Sequence, residues 1–234
     1  YTAIKNKNFL SAGSIANIVS LVAASLPMAL GIAGCIVLTG TDLSGGRVVG
    51  LTAAVAGALL QDRTISRKLF SNLPAITPGW ILLTVLIVVA IGALIGMVNG
   101  FFVAKFSLHP FIVTLATMLI FRSVAQYYLR TTGSSIFNMT GTLDHYASFY
   151  GFGQLKIATV PVVGIVLLVV TVIMVFISTC TKFGKTVYAL GSNERAAALA
   201  GINVNRTRVA VYVITGILTG LSAFLWLAMN GSVD

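Results

Sequence analysis

Six long apolar runs, at residues 15–38, 46–60, 80–103, 110–129, 159–180 and 209–228, leave few folds open to this chain. An α-helix rises ~1.5 Å per residue, so about 20 apolar residues match a hydrocarbon core of ~30 Å. In lipid every backbone N–H and C=O must find a partner within the protein, which selects helices for runs of this length. The expected fold class is all-α: a polytopic transmembrane helical bundle of about six spans, forming one domain over residues 1–234. The second run is short for a full crossing and predicts a broken or tilted helix supported by its neighbours. Only six residues separate positions 103 and 110, so the third and fourth runs should form a tight hairpin.

Composition agrees with lipid as the main solvent. Hydrophobic residues make up 57% and charged residues 9% of the sequence, well below the charge of an ordinary soluble domain. Fifteen Lys and Arg against five Asp and Glu give a formal charge of +10, yet the basic residues lie between apolar runs without an aromatic-basic patch. The partner this implies is the lipid bilayer with its anionic head groups, and no nucleic acid. Cys35 and Cys180 belong to no Cys-x-x-Cys or Cys/His cluster, so neither a disulfide framework nor a metal site is expected.

The connection 181–208 carries Lys182, Lys185, Arg195, Arg206 and Arg208, which the positive-inside rule assigns to the cytoplasm. That choice leaves Lys5, Lys7, Arg63, Arg67, Lys68, Arg130 and Lys156 on the opposite side, so charge alone nearly ties the two orientations. Glycines recur every four positions at Gly46/Gly50, Gly92/Gly96/Gly100 and Gly216/Gly220, a spacing that predicts one close-packing face on each helix.

Within 181–208 the sequence spells out a small helix. After Gly191, Ser192 is a predicted N-cap, Glu194 lies in the first turn where a carboxylate complements the helix dipole, Ala196 to Ala200 favours helix, and Gly201 suits a left-handed stop. A helix of about two turns is marginal by itself and needs a surface. It either rests on its own bundle as an amphipathic connector or docks a cytoplasmic partner. A second segment, Gly40-Thr-Asp-Leu-Ser-Gly-Gly-Arg47, places Asp42 and Arg47 near membrane depth. There they must pair with each other, cap the following helix through Asp42 or Ser44, or face a polar path. Arg122, inside the fourth run, has three options: snorkelling, pairing with a carboxylate, or facing water. Asn99 in the third run predicts an interhelical hydrogen bond.

Catalytic chemistry finds no support. Gly184-Lys-Thr186 resembles the end of a phosphate-binding loop, but Thr179 stands where the first glycine is required and a membrane helix precedes it. The chain should therefore not hydrolyse ATP itself. His109 and His145 have no partners at metal spacing, and no HExxH or GxSxG occurs.

Three separated segments, in order, carry a resemblance: Gly40-Thr-Asp-Leu-Ser-Gly-Gly-Arg-Val-Val-Gly-Leu51, His109-Pro-Phe-Ile-Val-Thr-Leu-Ala-Thr-Met118 and Lys182-Phe-Gly-Lys-Thr-Val-Tyr-Ala-Leu-Gly-Ser-Asn-Glu-Arg-Ala-Ala-Ala-Leu-Ala-Gly-Ile202. They resemble the ribose/xylose/galactose permease family of ABC importers. Phe9-Leu-Ser11 with Ile15-Ala-Asn17 is similar to the family's segment before its second span, so the likeness runs along nearly the whole chain. Thr-Asp-Leu-Ser followed by Gly-Arg and Val-Gly-Leu resembles the galactose/methyl-galactoside members more than the ribose ones, which usually carry Ile-Asp-Leu-Ser-Val-Gly.

The resemblance implies a second permease subunit, making a homodimer, a cytoplasmic ABC ATPase with fused nucleotide-binding domains, an extracytoplasmic sugar-binding protein, and a multi-pass location in the bacterial inner membrane. No cofactor is expected on this chain; ATP and Mg would belong to the ATPase. The resemblance also implies that 181–208 is a cytoplasmic coupling loop, with Gly191, Ser192, Asn193, Glu194, Arg195, Ala196, Ala197, Leu199 and Gly201 as ATPase-coupling residues. Candidates for a translocation path or gate are Thr41, Asp42, Ser44, Arg47, Asn99, Phe111, Thr114 and Arg122. The family normally continues at both ends, so the chain, which begins at Tyr1 and ends at Asp234 just after an apolar run, is expected to be a piece of a longer protein. Two alternatives stay open: a ribose or nucleoside permease of the same superfamily, and an ion-coupled secondary transporter. The latter would call for paired acidic residues within spans, and only Asp42 lies near one.

Overall fold

A computed structural model describes residues 11–60, 77–131, 156–157 and 160–230. The connections 61–76 and 132–155, with Arg63, Arg67, Lys68 and His145, and the terminal stretch with Lys5 and Lys7, lie outside the described residues. In chain order the elements are α1 (Ala12–Val37), α2 (Gly45–Leu59), α3 (Pro78–Lys105), α4 (Pro110–Thr131), β1 (Lys156–Ile157), β2 (Val160–Pro161), α5 (Val162–Cys180), α6 (Lys182–Ser192), α7 (Glu194–Leu199) and α8 (Val204–Asn230). Helices α1, α3, α4, α5 and α8 are long and apolar enough to cross a membrane, and α2 is a shorter apolar helix. The strands form a two-residue antiparallel pair at the mouth of α5.

The helices begin where the sequence supplies an acceptor for their free N–H groups. Ser11 Oγ accepts from Ser14 N–H to start α1, and Thr77 Oγ1 accepts from Trp80 N–H just ahead of Pro78 in α3. His109 Nδ1 accepts from Phe111 N–H beside Pro110 in α4, and Asn203 Oδ1 accepts from Arg206 N–H in α8. The α3–α4 hairpin closes through Ser107, whose φ of 51° lies in the left-handed region.

Helix α8 is the axis of the bundle. It packs most extensively on α3 and then on α1 and α2, and its buried face runs from Thr207 to Ala228. The seam with α3 is a backbone-on-backbone contact. A Cβ at Gly216 would collide with the carbonyl of Gly92, one at Gly92 with that of Gly216, and one at Gly96 with that of Tyr212. Lipid provides no hydrophobic drive between helices, so close van der Waals approach is what holds such a pair together. The predicted glycine faces of α3 and α8 are therefore each other's partners. The face predicted on α2 is not a packing face: Cβ atoms at Gly46 and Gly50 would meet nothing within 4 Å. Helix α2 docks instead through the alternate side, with Val48, Leu51, Thr52 and Ala56 buried.

Elsewhere the apolar surface turns outward. Leu168, Val172 and Phe176 on α5 and Ile112, Leu119 and Ile120 on α4 are exposed, as expected of side chains that meet acyl chains.

Candidate functional site

The short run ending at position 60 becomes a broken crossing. Helix α1 stops at Val37, Thr39 takes a φ of 57°, and the chain doubles back through 40–44 before α2 begins. A Cβ on Gly45 would lie 3.2 Å from both Ile32 Cδ1 and Met28 Sδ, so α2 starts beside the middle of α1 rather than beside its end. At the far end, Trp80 Nε1 donates to the Leu59 carbonyl at 2.9 Å and ties the close of α2 to the start of α3.

Hydrogen bonds hold this non-helical segment to the bundle. Asp42 Oδ1 accepts from Ser44 N–H at 2.9 Å and from Ser44 Oγ at 2.6 Å, and Ser44 Oγ in turn accepts from Asn99 Nδ2 at 3.1 Å. The bond predicted for Asn99 is thus an α3-to-segment tether, with Asn99 and Ser44 each about 1% exposed. Among the described residues Asn99 Oδ1 finds no hydrogen-bond partner, and Asn99 lines a cavity of ≈ 10 Å³ with Asp42, Ser44, Gly92, Gly96 and Thr219. On the other side Thr114 Oγ1 donates to the Pro110 carbonyl at 2.9 Å and reaches the Thr41 carbonyl at 3.4 Å. The Tyr212 hydroxyl lies 3.3 Å from where a Cβ of Gly40 would stand.

Two expectations for this segment change. Asp42 and Arg47 do not pair: Asp42 is taken up by Ser44, and Arg47, the third residue of α2, is exposed and lines a groove. Ser44 sits at the N-cap position of α2 but makes no side-chain cap bond, because its hydroxyl is committed to Asp42. The groove, ≈ 430 Å³, lies where α1, α2 and α8 meet, and its lining includes Ser25, Arg47, Gly50, Ser222, Trp226 and Asn230. Pro27 lies inside the continuous α1 here, and Met28 N–H donates across to Ser222 Oγ at 2.9 Å. Of the remaining path candidates, Phe111 and Arg122 are exposed on α4, and Arg122 has no ion pair among the described residues. Eight candidates therefore divide: Thr41, Asp42, Ser44, Asn99 and Thr114 converge on the segment, Arg47 faces the groove, and Phe111 and Arg122 join neither.

The loop 181–208 folds into two helices at one end of the bundle. Helix α6, not foreseen from sequence, starts at Thr181, whose Oγ1 accepts from Gly184 N–H at 3.2 Å. It ends at Ser192, whose hydroxyl donates back to the Tyr188 carbonyl at 3.0 Å. Ser192 is therefore not the N-cap of the next helix. That role falls to Asn193, extended at φ −156°, whose Oδ1 accepts from Ala196 N–H at 3.0 Å. The expected two-turn helix is the six-residue α7, and Gly201 closes it at φ 83°. Ile202 N–H bonds to the Ala197 carbonyl at 3.1 Å and Gly201 N–H to the Ala198 carbonyl at 3.0 Å, the two bonds of a Schellman stop.

Close contacts hold α6 and α7 against the bundle: Gly184 abuts the Ser178 carbonyl of α5, and Val187 is buried in a cluster with Cys35 and Val211. Gly191 lies so close to α1 that a Cβ there would strike the Val37 carbonyl. Ala197 is buried, and Glu194 Oε2 accepts from Arg208 Nη2 of α8 at 2.6 Å. The outward face of α7 carries Leu199, 90% exposed, at the apex of the element.

A bundle of lipid-length helices with a backbone-tight seam, a hydrogen-bonded polar break between two of its helices and a short helical knob at one end suits a membrane permease. Comparison with known proteins agrees. Residues 14–234 match the family model described as "Branched-chain amino acid transport system / permease component", and the chain belongs to that family. Similar relatives include the galactose/methyl galactoside import permease protein of Escherichia coli K12, 34% identical over 229 residues, covering 97% of this chain and 67% of that protein. The ribose import permease protein of Haemophilus influenzae is 33% identical over 220 residues, covering 94% of this chain and 62% of that protein. That of Escherichia coli K12 is 32% identical over 227 residues, covering 97% and 65%. The chain thus spans about two thirds of the length of these relatives. No solved structure matches.

Sequence reasoning missed Tyr212, Ser222 and Trp226, which join the segment and the groove only because α8 folds back against α1 and α2. No local pattern marks them.

Proposed function

We propose that this chain is the membrane-spanning permease subunit of an ATP-driven monosaccharide importer in the bacterial inner membrane, carrying galactose or methyl galactoside. The relatives named for those sugars and the Thr-Asp-Leu-Ser-Gly-Gly-Arg signature at 41–47 support the substrate. Ribose is the competing substrate, supported by relatives only one to two percentage points lower in identity.

The observation that carries the ATP-driven reading is α7. A six-residue helix is too short to persist in water unaided. Here it is capped at Asn193, stopped at Gly201 and braced by Arg208, yet it leaves Leu199 almost wholly exposed. An exposed leucine on a rigid knob suits the pocket of a partner. In this reading the loop 181–208 faces the cytoplasm and docks an ABC ATPase with fused nucleotide-binding domains, which holds the ATP and Mg. ATP closure pushes α6 and α7 inward. Because α7 is tied to α8 and α6 abuts α1, the push reaches the helices that flank the 40–44 segment. The path then alternates between the two sides by a shift between two packings. A second copy of the permease and an extracytoplasmic sugar-binding protein complete the machine.

The test is co-purification and sugar-stimulated ATP hydrolysis in the reconstituted complex. Leu199→Asp should lower ATPase binding at least 10-fold while leaving the permease folded. An intact complex with undiminished sugar-stimulated hydrolysis would refute the docking role.

A further inference from the structure

Arg47 poses a physical problem that the hydrogen-bonded segment does not solve. Helix α2 starts beside Met28 and Ile32, and Arg47 shares its groove with Ala24 and Met28. Met28 lies nine residues from the Val37 end of α1, roughly 14 Å along the helix. The backbone that carries Arg47 thus lies near the middle of a lipid-length helix, and among the described residues its side chain makes no ion pair and no hydrogen bond. A cation at that depth is expensive against acyl chains and affordable only in a polar cavity.

The surroundings fit such a cavity. Gly46 and Gly50 present bare backbone with open space above, so that side of α2 is shaped to leave room rather than to pack. Ser25, Ser222 and Asn230 contribute hydroxyl and amide groups, and Trp226 an indole that is 39% exposed. At ≈ 430 Å³ the groove falls within the ~300–1,000 Å³ range of small-molecule sites. By contrast, the groove between α1 and α5 is lined chiefly by aliphatic side chains and carries no cation.

Resting on the permease reading above, we infer that the groove between α1, α2 and α8 is a water-filled, carbohydrate-contacting face of the translocation path, with Arg47 as its fixed hydrogen-bond donor. A guanidinium presents five N–H donors to the oxygens of a polyol, serine and asparagine exchange bonds with its hydroxyls, and an indole face accepts the apolar C–H side of a sugar ring. Neutral sugar leaves the charge unpaired, so contacts are made and released without an ion pair to break.

The experiment uses the reconstituted complex of permease, ATPase and binding protein, with Cys35→Ala and Cys180→Ser as background and D-galactose and D-ribose as probes. Ser25→Cys should react with a charged methanethiosulfonate reagent at least 10-fold faster than Val172→Cys on the outward face of α5, and one of the two sugars should slow that reaction at least 3-fold. Arg47→Gln should lower ATP-driven uptake at least 10-fold in a complex that still co-purifies, and Arg47→Lys should retain more activity. Labelling at Ser25→Cys no faster than at Val172→Cys means that lipid or another helix covers the groove, and overturns the inference. Fast labelling that neither sugar slows, or wild-type uptake by an intact Arg47→Gln complex, also overturns it. Absence of ATP-driven uptake by the unsubstituted complex would instead sink the permease reading.

Discussion

Replacing Gly216 by alanine tests the central seam most sharply. The added Cβ would stand 2.7 Å from the Gly92 carbonyl carbon and 3.2 Å from Gly96 N, and closer still to the Gly92 oxygen. Ordinary contacts between carbon atoms begin at about 3.5 Å, so α3 and α8 must separate by about 1 Å, and a gap of that size forfeits a quarter to a half of each dispersion contact along the seam. Neither atom is the end of a flexible side chain that could step aside. Overpacking of this kind costs about 1–3 kcal/mol, and the lost seam contacts place Gly216→Ala toward the upper end. Alanine also gains roughly 0.8–1 kcal/mol of helix propensity over glycine, which leaves a net loss of about 1–2 kcal/mol. For a chain of this size that is a fall of roughly 2–8 °C in thermal midpoint, measured on the detergent-purified protein by a thiol-reactive or intrinsic-fluorescence melt. Gly50→Ala is the control. Its Cβ meets nothing within 4 Å, so the propensity gain should stand alone and the midpoint should hold or rise. Equal midpoints for Gly216→Ala and Gly50→Ala would refute the claim that the two backbones touch.

Three further outcomes follow from the hydrogen-bond geometry. Ser44→Ala removes the acceptor of the buried Asn99 amide and the hydroxyl that bonds Asp42, and should destabilise the fold by about 1–3 kcal/mol, read as a lowered midpoint. Asn193→Ala deletes the cap of α7 and should cost about 1 kcal/mol locally, seen as faster hydrogen exchange at Ala196 and Ala197 with the exchange of α8 unchanged; Ser192→Ala should not do so. Trp80→Phe loses the bond to the Leu59 carbonyl and should lower stability by about 1 kcal/mol, whereas a midpoint equal to the parent's would argue that α2 ends without that anchor.

Local signals carried the coarse structure because they are local physics. Apolar run length marked the crossings, the short run at 46–60 announced the broken one, and Gly201 announced the left-handed stop of α7. The errors also have local causes. Ser192 and Asn193 are both good caps, and which one serves depends on α6 running on to Ser192, whose hydroxyl is then drawn to the Tyr188 carbonyl. Lys182 to Ser192 does carry a helical period, since Phe183, Val187 and Leu190 recur at i, i+4 and i+7. Its two glycines and its charged and hydroxyl side chains nonetheless read as a connection, and only the fold shows Gly191 pressed against Val37.

What the sequence determined by itself is therefore the class of fold and the identity of its interruptions, since these depend on the free energy of moving one segment at a time between water and lipid. Which interruption does what was decided only in three dimensions. Gly46/Gly50 and Gly92/Gly96 carry the same spacing, yet one pair faces open space and the other the backbone of α8. Asp42 and Arg47 are five positions apart, yet one is held inside by Ser44 and the other faces the groove. Period and proximity along the chain set which residues share a helix face, but what that face meets depends on residues up to 194 positions away, as the bond from Met28 to Ser222 shows.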